Sequence, residues 1–202
     1  MNSNVNYTAK RVISFDAGLK NMGVCVIDYI LIHDNQTVKN VNDVKTCKWL
    51  ADNIIKIIYL DKWDISKFAK KRNDFVGFAK GLKEKLIGIQ ELEPFDTVLY
   101  EHQMNANHRT NVITDFIIYH FVGKCENIVR VPGASKSTVY FSPSLKYQNF
   151  ASRYSSNYTA NKKHTELNMK YWYNMHDLNL PKCKLDDMAD AFMLGVAYIL
   201  FK

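Results

Sequence analysis

Four carboxylates in this chain stand where they can meet. Asp16 closes the apolar run Val12-Ile13-Ser14-Phe15, and Glu101 closes Thr97-Val98-Leu99-Tyr100. Asp187 and Asp190 are three residues apart at the head of a long apolar stretch, so they share one helix face. Acids that end strands of an α/β sheet lie at the edge where sites form. Oxygen ligands of this kind bind hard divalent cations, and paired cations of that type cleave phosphodiester bonds.

Each acid also has a plainer reading. Asp187 and Asp190 suit the positive end of a helix dipole, worth roughly 0.3–1 kcal/mol each, without any metal. Leu185, Met188, Ala189, Phe192 and Met193 surround them, so the helix is buried and its acids need cations, whether metal, Lys or Arg. Asp16-Ala17-Gly18 also fits an ordinary turn or the phosphate turn of an actin-like ATPase. Glu101 alone also fits a salt bridge. Asp186 lies about 100° round the helix from Asp187 and is left out of the set. His102 and His108 follow Glu101 in a polar stretch and are given no role.

Positioning these acids takes a layered α/β domain. Residues 10–16 and 23–32 read as a hairpin, and 54–60 as a third strand. A helix is expected from Asp64 or Ser66 to about Leu86, with apolar residues at steps of three and four. A buried strand spans 97–101, and a helix 110–122. Strand-like pieces at 128–131 and 138–141 flank Pro132-Gly133. A helix from about 160 to 175 takes Thr159 as its N-cap. The last helix spans 185–201.

The 202 residues fit a single domain over 1–202, and 47% hydrophobic content excludes global disorder. The net charge of +7 suits a polyanionic partner. Six basic residues (Arg130, Lys136, Lys146, Arg153, Lys162 and Lys163) fall between 127 and 165, a stretch with no Asp or Glu. Tyr147, Phe150, Tyr154 and Tyr158 interleave with them. That pattern fits either a helix packed on the core or a DNA-facing surface of phosphate contacts and base stacking. The four cysteines form no Cys-x-x-Cys motif, so reduced thiols and an intracellular, soluble protein are expected. The longest uncharged apolar run, 191–201, is too short to span a bilayer.

Taken together, the motifs resemble the RuvC-type Holliday junction resolvases of the RNase H superfamily, and among them those of poxviruses. The residues that carry the likeness are Ile13-Ser14-Phe15-Asp16-Ala17-Gly18-Leu19-Lys20-Asn21, Val98-Leu99-Tyr100-Glu101, Phe141-Ser142-Pro143, Lys162-Lys163 and Leu185-Asp186-Asp187-Met188-Ala189-Asp190. The resemblance implies an RNase H-like fold: a central five-stranded mixed sheet, antiparallel in its first three strands, with helices on both faces. It implies a homodimer that binds branched DNA, the four-way junction, and nicks one strand per subunit, resolving viral genome concatemers. It implies a metal set of Asp16, Glu101, Asp187 and Asp190 holding two Mg2+ ions, with Mn2+ as an alternative. An active-site lysine falls at Lys162 or Lys163. No membrane and no small-molecule cofactor are implied, and the site of action is the host cytoplasm. The stretch between Glu101 and Ser142 is longer than the family pattern, with 130–136 as the extra part.

On this reading the acids drive a two-metal hydrolysis that leaves a 5′-phosphate and a 3′-hydroxyl. Three rivals remain. One is another nuclease of the same fold, acting on hybrids or as an exonuclease. Another is an actin-like kinase, which needs a second Gly-rich phosphate loop that the chain lacks. The third is a junction-binding protein without catalysis.

Overall fold

The computed structural model describes residues 7–32, 55–101, 108–139, 141, 157–176, 178–181 and 185–201. Five strands form one sheet: β1 (Tyr7–Asp16), β2 (Met22–Ile32), β3 (Ile55–Trp63), β4 (Thr97–Glu101) and β5 (Asn127–Val131). Their order is β3-β2-β1-β4-β5. The β1–β2 and β2–β3 pairs are antiparallel, while β1–β4 and β4–β5 are parallel. This is the mixed sheet expected from the resemblance.

Among the described residues, four helices cover the two faces: α1 (Phe75–Ile87), α2 (His108–Phe121), α3 (Asn157–Met175) and α4 (Asp186–Phe201). Alternate residues of β1 feed separate cores, as a two-sided strand requires. Ile13 and Phe15 join Val24, Val98, Phe78, Leu82, Ile113 and Ile117 on the side of α1 and α2. Val12 joins Ile27, Leu99, Trp172 and Phe192 on the side of α3 and α4.

The register of the central strands is pinned at one end by Asp96. Its carboxylate accepts from the Arg11 backbone N–H at 2.7 Å and from Lys10 Nζ at 2.6 Å. Val12 then pairs with Thr97 and Phe15 with Tyr100. One residue further, Asp16 and Glu101 end their strands level with each other.

The last helix is set into the sheet by small residues and one buried hydroxyl. Ser14 Oγ donates to the Ala191 carbonyl at 2.7 Å. A Cβ on Gly23 would lie 1.9 Å from the Asp187 carbonyl oxygen, so only glycine lets β2 pass there. Gly195 likewise leaves room for Ile27.

Four local expectations need correction. The third strand runs on to Trp63, because Asp61 and Lys62 sit on an edge strand that tolerates charge. No α-helix starts at Asp64: a 3-10 turn spans Ser66–Phe68, and Asp74 caps α1 by accepting from Gly77 N–H at 2.9 Å. Thr159 lies inside α3 and not at its cap. The 138–141 piece is no strand where it is described. Thr138 ends a 3-10 turn (Gly133–Thr138), and the Phe141 N–H is donated to Asn168 Oδ1 at 2.8 Å. His102 and the aromatic-basic stretch 142–156 lie outside the described residues.

Candidate active site

The C-terminal ends of β1 and β4 and the first turns of α4 meet at one sheet edge. They bring Asp16, Glu101, Asp187 and Asp190 together, with side chains 13%, 17%, 13% and 5% exposed. Glu101 arrives by the parallel pairing of β4 with β1. Asp187 arrives by the contact of its backbone with Gly23. Asp190 stands one turn on and accepts from Thr165 Oγ1 at 2.7 Å.

Two ammonium groups fill the space between the acids. Lys162 Nζ, from the first turns of α3, lies 2.5 Å from Asp190, 3.3 Å from Asp187 and 3.7 Å from Asp16. Lys136 Nζ lies 2.9 Å from Glu101, 3.5 Å from Asp190 and 3.9 Å from Asp16. Each cation therefore faces three carboxylates, and Asp16 and Asp190 touch both. Lys163 takes no part. It turns to Glu166 at 3.2 Å and its side chain is 34% exposed.

Lys136 and Thr165 were not among the residues singled out from the sequence. Lys136 rides on the 3-10 turn that follows β5, inside the stretch read as extra to the family pattern. Pro132 and Gly133 fold that turn over the site. A Cβ on Gly133 would lie 2.1 Å from Glu101 Oε1, so the glycine lets the backbone press against the carboxylate. The signal available was a lysine just past a strand that neighbours the Glu101 strand. Thr165 sits three residues after Lys162, on the same face of α3.

The electrostatics follow from burial and crowding. Burial first, then the hydrogen bond with Glu101, push the Asp16 carboxyl well above its ordinary range. Glu101 goes the other way. Burial opposes its ionisation, but the hydrogen bond with Asp16 and the Lys136 charge outweigh it and hold Glu101 below its usual value. Within this pair Asp16 is the weaker acid and Glu101 the stronger. Both lysines are pushed up, because the surrounding carboxylates outweigh the burial that works against them.

Among the described residues no group of three or more acids, histidines or cysteines is arranged to hold a metal ion in this structure. The donor set nevertheless fits divalent ions. All four carboxylates offer hard oxygens, they come from rigid elements, and each ammonium marks a cation-sized position among three of them.

No curated protein matches this sequence. Among solved structures, the fowlpox virus Holliday junction resolvase is 20% identical with a TM-score of 0.52, covering 94% of this chain and 96% of its own. The same enzyme in complex with Holliday junction DNA gives a TM-score of 0.53 at the same identity and coverage. Thermus thermophilus RuvC with its Holliday junction substrate gives 0.55 at 6% identity, covering 95% of this chain and 94% of that one. These likenesses establish a RuvC-like RNase H fold. The family model described as "Poxvirus A22 protein" matches residues 10–202, nearly the whole chain, and the chain belongs to that family.

Proposed function

We propose that the protein is a structure-selective DNA endonuclease that resolves four-way junctions by paired nicks. One observation carries this reading: four carboxylates from three separate elements converge at the carboxyl edge of an RNase H-like sheet. The structural neighbours, a fowlpox virus Holliday junction resolvase and RuvC with its Holliday junction substrate, support the substrate class.

Asp16, Glu101, Asp187 and Asp190 would hold the two Mg2+ ions, with Mn2+ as the alternative. When bound, such ions supply an activated water and neutralise charge on the phosphate. The protein's own groups do the rest. Thr165 holds one oxygen of Asp190, leaving the other for a cation. Lys162, paired with Asp16, Asp187 and Asp190 in the metal-free site, would turn its positive charge to the scissile phosphate once metal takes its place, where charge develops in the transition state. Its neighbour Lys163, pointed at Glu166, has no such role.

A homodimer places one such site on each of two strands, which makes symmetric, ligatable nicks. In a poxvirus this activity would resolve genome concatemers at replication sites in the host cytoplasm. Among the described residues no helix is long and apolar enough to cross a membrane.

The test is nicking of a labelled immobile four-way junction with and without Mg2+, by wild type and Asp187→Asn. Symmetric nicks that need both metal and Asp187 support the reading. Cleavage of linear duplex or hybrid in preference to the junction would replace the substrate and keep the site. Junction binding with no metal-dependent cleavage would leave only an architectural role.

A further inference from the structure

Lys136 is the one member of the cluster that neither the family motifs nor the proposed reaction uses. Its side chain is 10% exposed, and burying a long cationic side chain is unfavourable unless it is paired. Here the pairing is with three of the four acids of the proposed metal site: Glu101, Asp190 and Asp16. The turn that delivers it is built for this approach, since Gly133 lies against Glu101 where a side chain would not fit.

We propose that Lys136 is a tethered cation that occupies one metal position of the metal-free site and must leave before that ion can bind. The inference rests on the metal-site reading above and adds to it a residue that sets metal affinity. An ammonium group and a divalent ion cannot share the same three carboxylates. Metal therefore binds only the fraction of molecules in which Lys136 has swung out, and its apparent affinity falls by that fraction. The lysine keeps the acid cluster folded and neutralised when metal is absent. Once displaced, it stays beside the site on the Gly133–Thr138 turn.

Two measurements test this. The first is Mn2+ binding by wild type and Lys136→Met, followed by electron paramagnetic resonance and calorimetry, with no DNA present. Lys136→Met should bind at least one ion about tenfold more tightly, the gain expected if the competent state is populated at roughly one part in ten. The second uses wild type alone, so it does not depend on a variant that folds. Lys136 is labelled with an amine-reactive reagent with and without Mn2+, and the modified peptide is read by mass spectrometry. Metal should raise the labelling of Lys136 several-fold, and Asp190→Asn should abolish the rise.

Uptake of Mn2+ by wild type with unchanged labelling of Lys136 overturns this inference and leaves the metal site standing. Equal affinities in the two proteins do the same. Binding by Lys136→Met but not by wild type supports it in its strongest form. No uptake by either protein overturns the inference together with the metal-site reading.

Discussion

Replacing Gly23 with alanine tests whether the placement of α4 governs the site. The added Cβ would stand 1.9 Å from the Asp187 carbonyl oxygen and 2.6 Å from its carbonyl carbon. Contacts of this kind open to at least 3.0 Å, so the two backbones must part by about 1.1 Å. Neither side yields easily. Gly23 is paired on both sides, with Asp16 and Lys62, and Asp187 lies in the first turn of α4. Forced overpacking of this kind costs about 1–3 kcal/mol in stability. The larger effect falls on the chemistry. Asp187 and Asp190 move away from Asp16, and a misplacement of about 1 Å costs on the order of 10²-fold in rate. Single-turnover nicking of a four-way junction at saturating Mg2+, with urea unfolding alongside, measures both. Gly88→Ala is the control. Gly88 ends α1 in a right-handed conformation, and its Cβ would meet nothing closer than 3.3 Å. A Gly23→Ala protein that nicks within about threefold of wild type would refute the claim that this contact sets the geometry, since a shift of about 1 Å costs far more than that.

Three other outcomes are expected. Asp190→Asn should lower the nicking rate on the order of 10²-fold or more while a gel-shift assay shows junction binding retained, because on the proposed reading the acid serves the metals and not the DNA backbone. Lys162→Met should cost on the order of 10²-fold in single-turnover rate, and Lys163→Met less than about threefold, since only the first reaches the acids. His164, on α3, is buried beside the Val139 backbone, and burial pushes its imidazole down from 6.5 to about 4. A depressed folded-state value means the stability is fully present above pH 6.5 and is lost as pH falls towards 4. Up to about 3 kcal/mol should go in that window. Urea unfolding at pH 7.5 and 4.5 should show this loss in wild type, and a smaller one in His164→Gln.

Some of this was readable in the residues because local pattern and tertiary role coincide. Short apolar runs that stop at Asp16 and Glu101 are both strands and pointers to a sheet edge. The apolar surround of Asp187 and Asp190 marks a buried helix whose acids need cations. Other features were hidden because their cause is a distant partner. Thr138-Val139-Tyr140-Phe141 has strand-forming residues, yet Val139 and Phe141 are buried against the helix layer, and the Phe141 N–H goes to an α3 side chain. The start of α1 was displaced because Asp64 bonds locally to Ser66, ending the chain's first attempt at a helix in a 3-10 turn. Lys136 was legible only as one basic residue among six in an acid-free stretch. What selects it is the parallel neighbour relation of β4 and β5, together with the bare backbone of Gly133. A single sequence carries neither. The choice between Lys162 and Lys163 likewise needed the phase of α3 against α4, which adjacent residues cannot reveal.

The bond from Ser14 to the Ala191 carbonyl joins positions 177 residues apart. Asp16 and Asp190, equally remote in the chain, share both lysines. The cluster therefore cannot be complete until the end of α4 is near. A ribosome that has produced the whole sheet, with Asp16 and Glu101 already side by side, has not yet made either acid of α4. If cleavage needs all four carboxylates, a nascent or interrupted chain carries no nuclease activity, however well its sheet has formed. On the proposed reading, a nuclease of this kind would be armed only when α4 closes on β1. Such contacts are also the slowest to form, so the onset of activity should follow completion of the chain with a measurable delay.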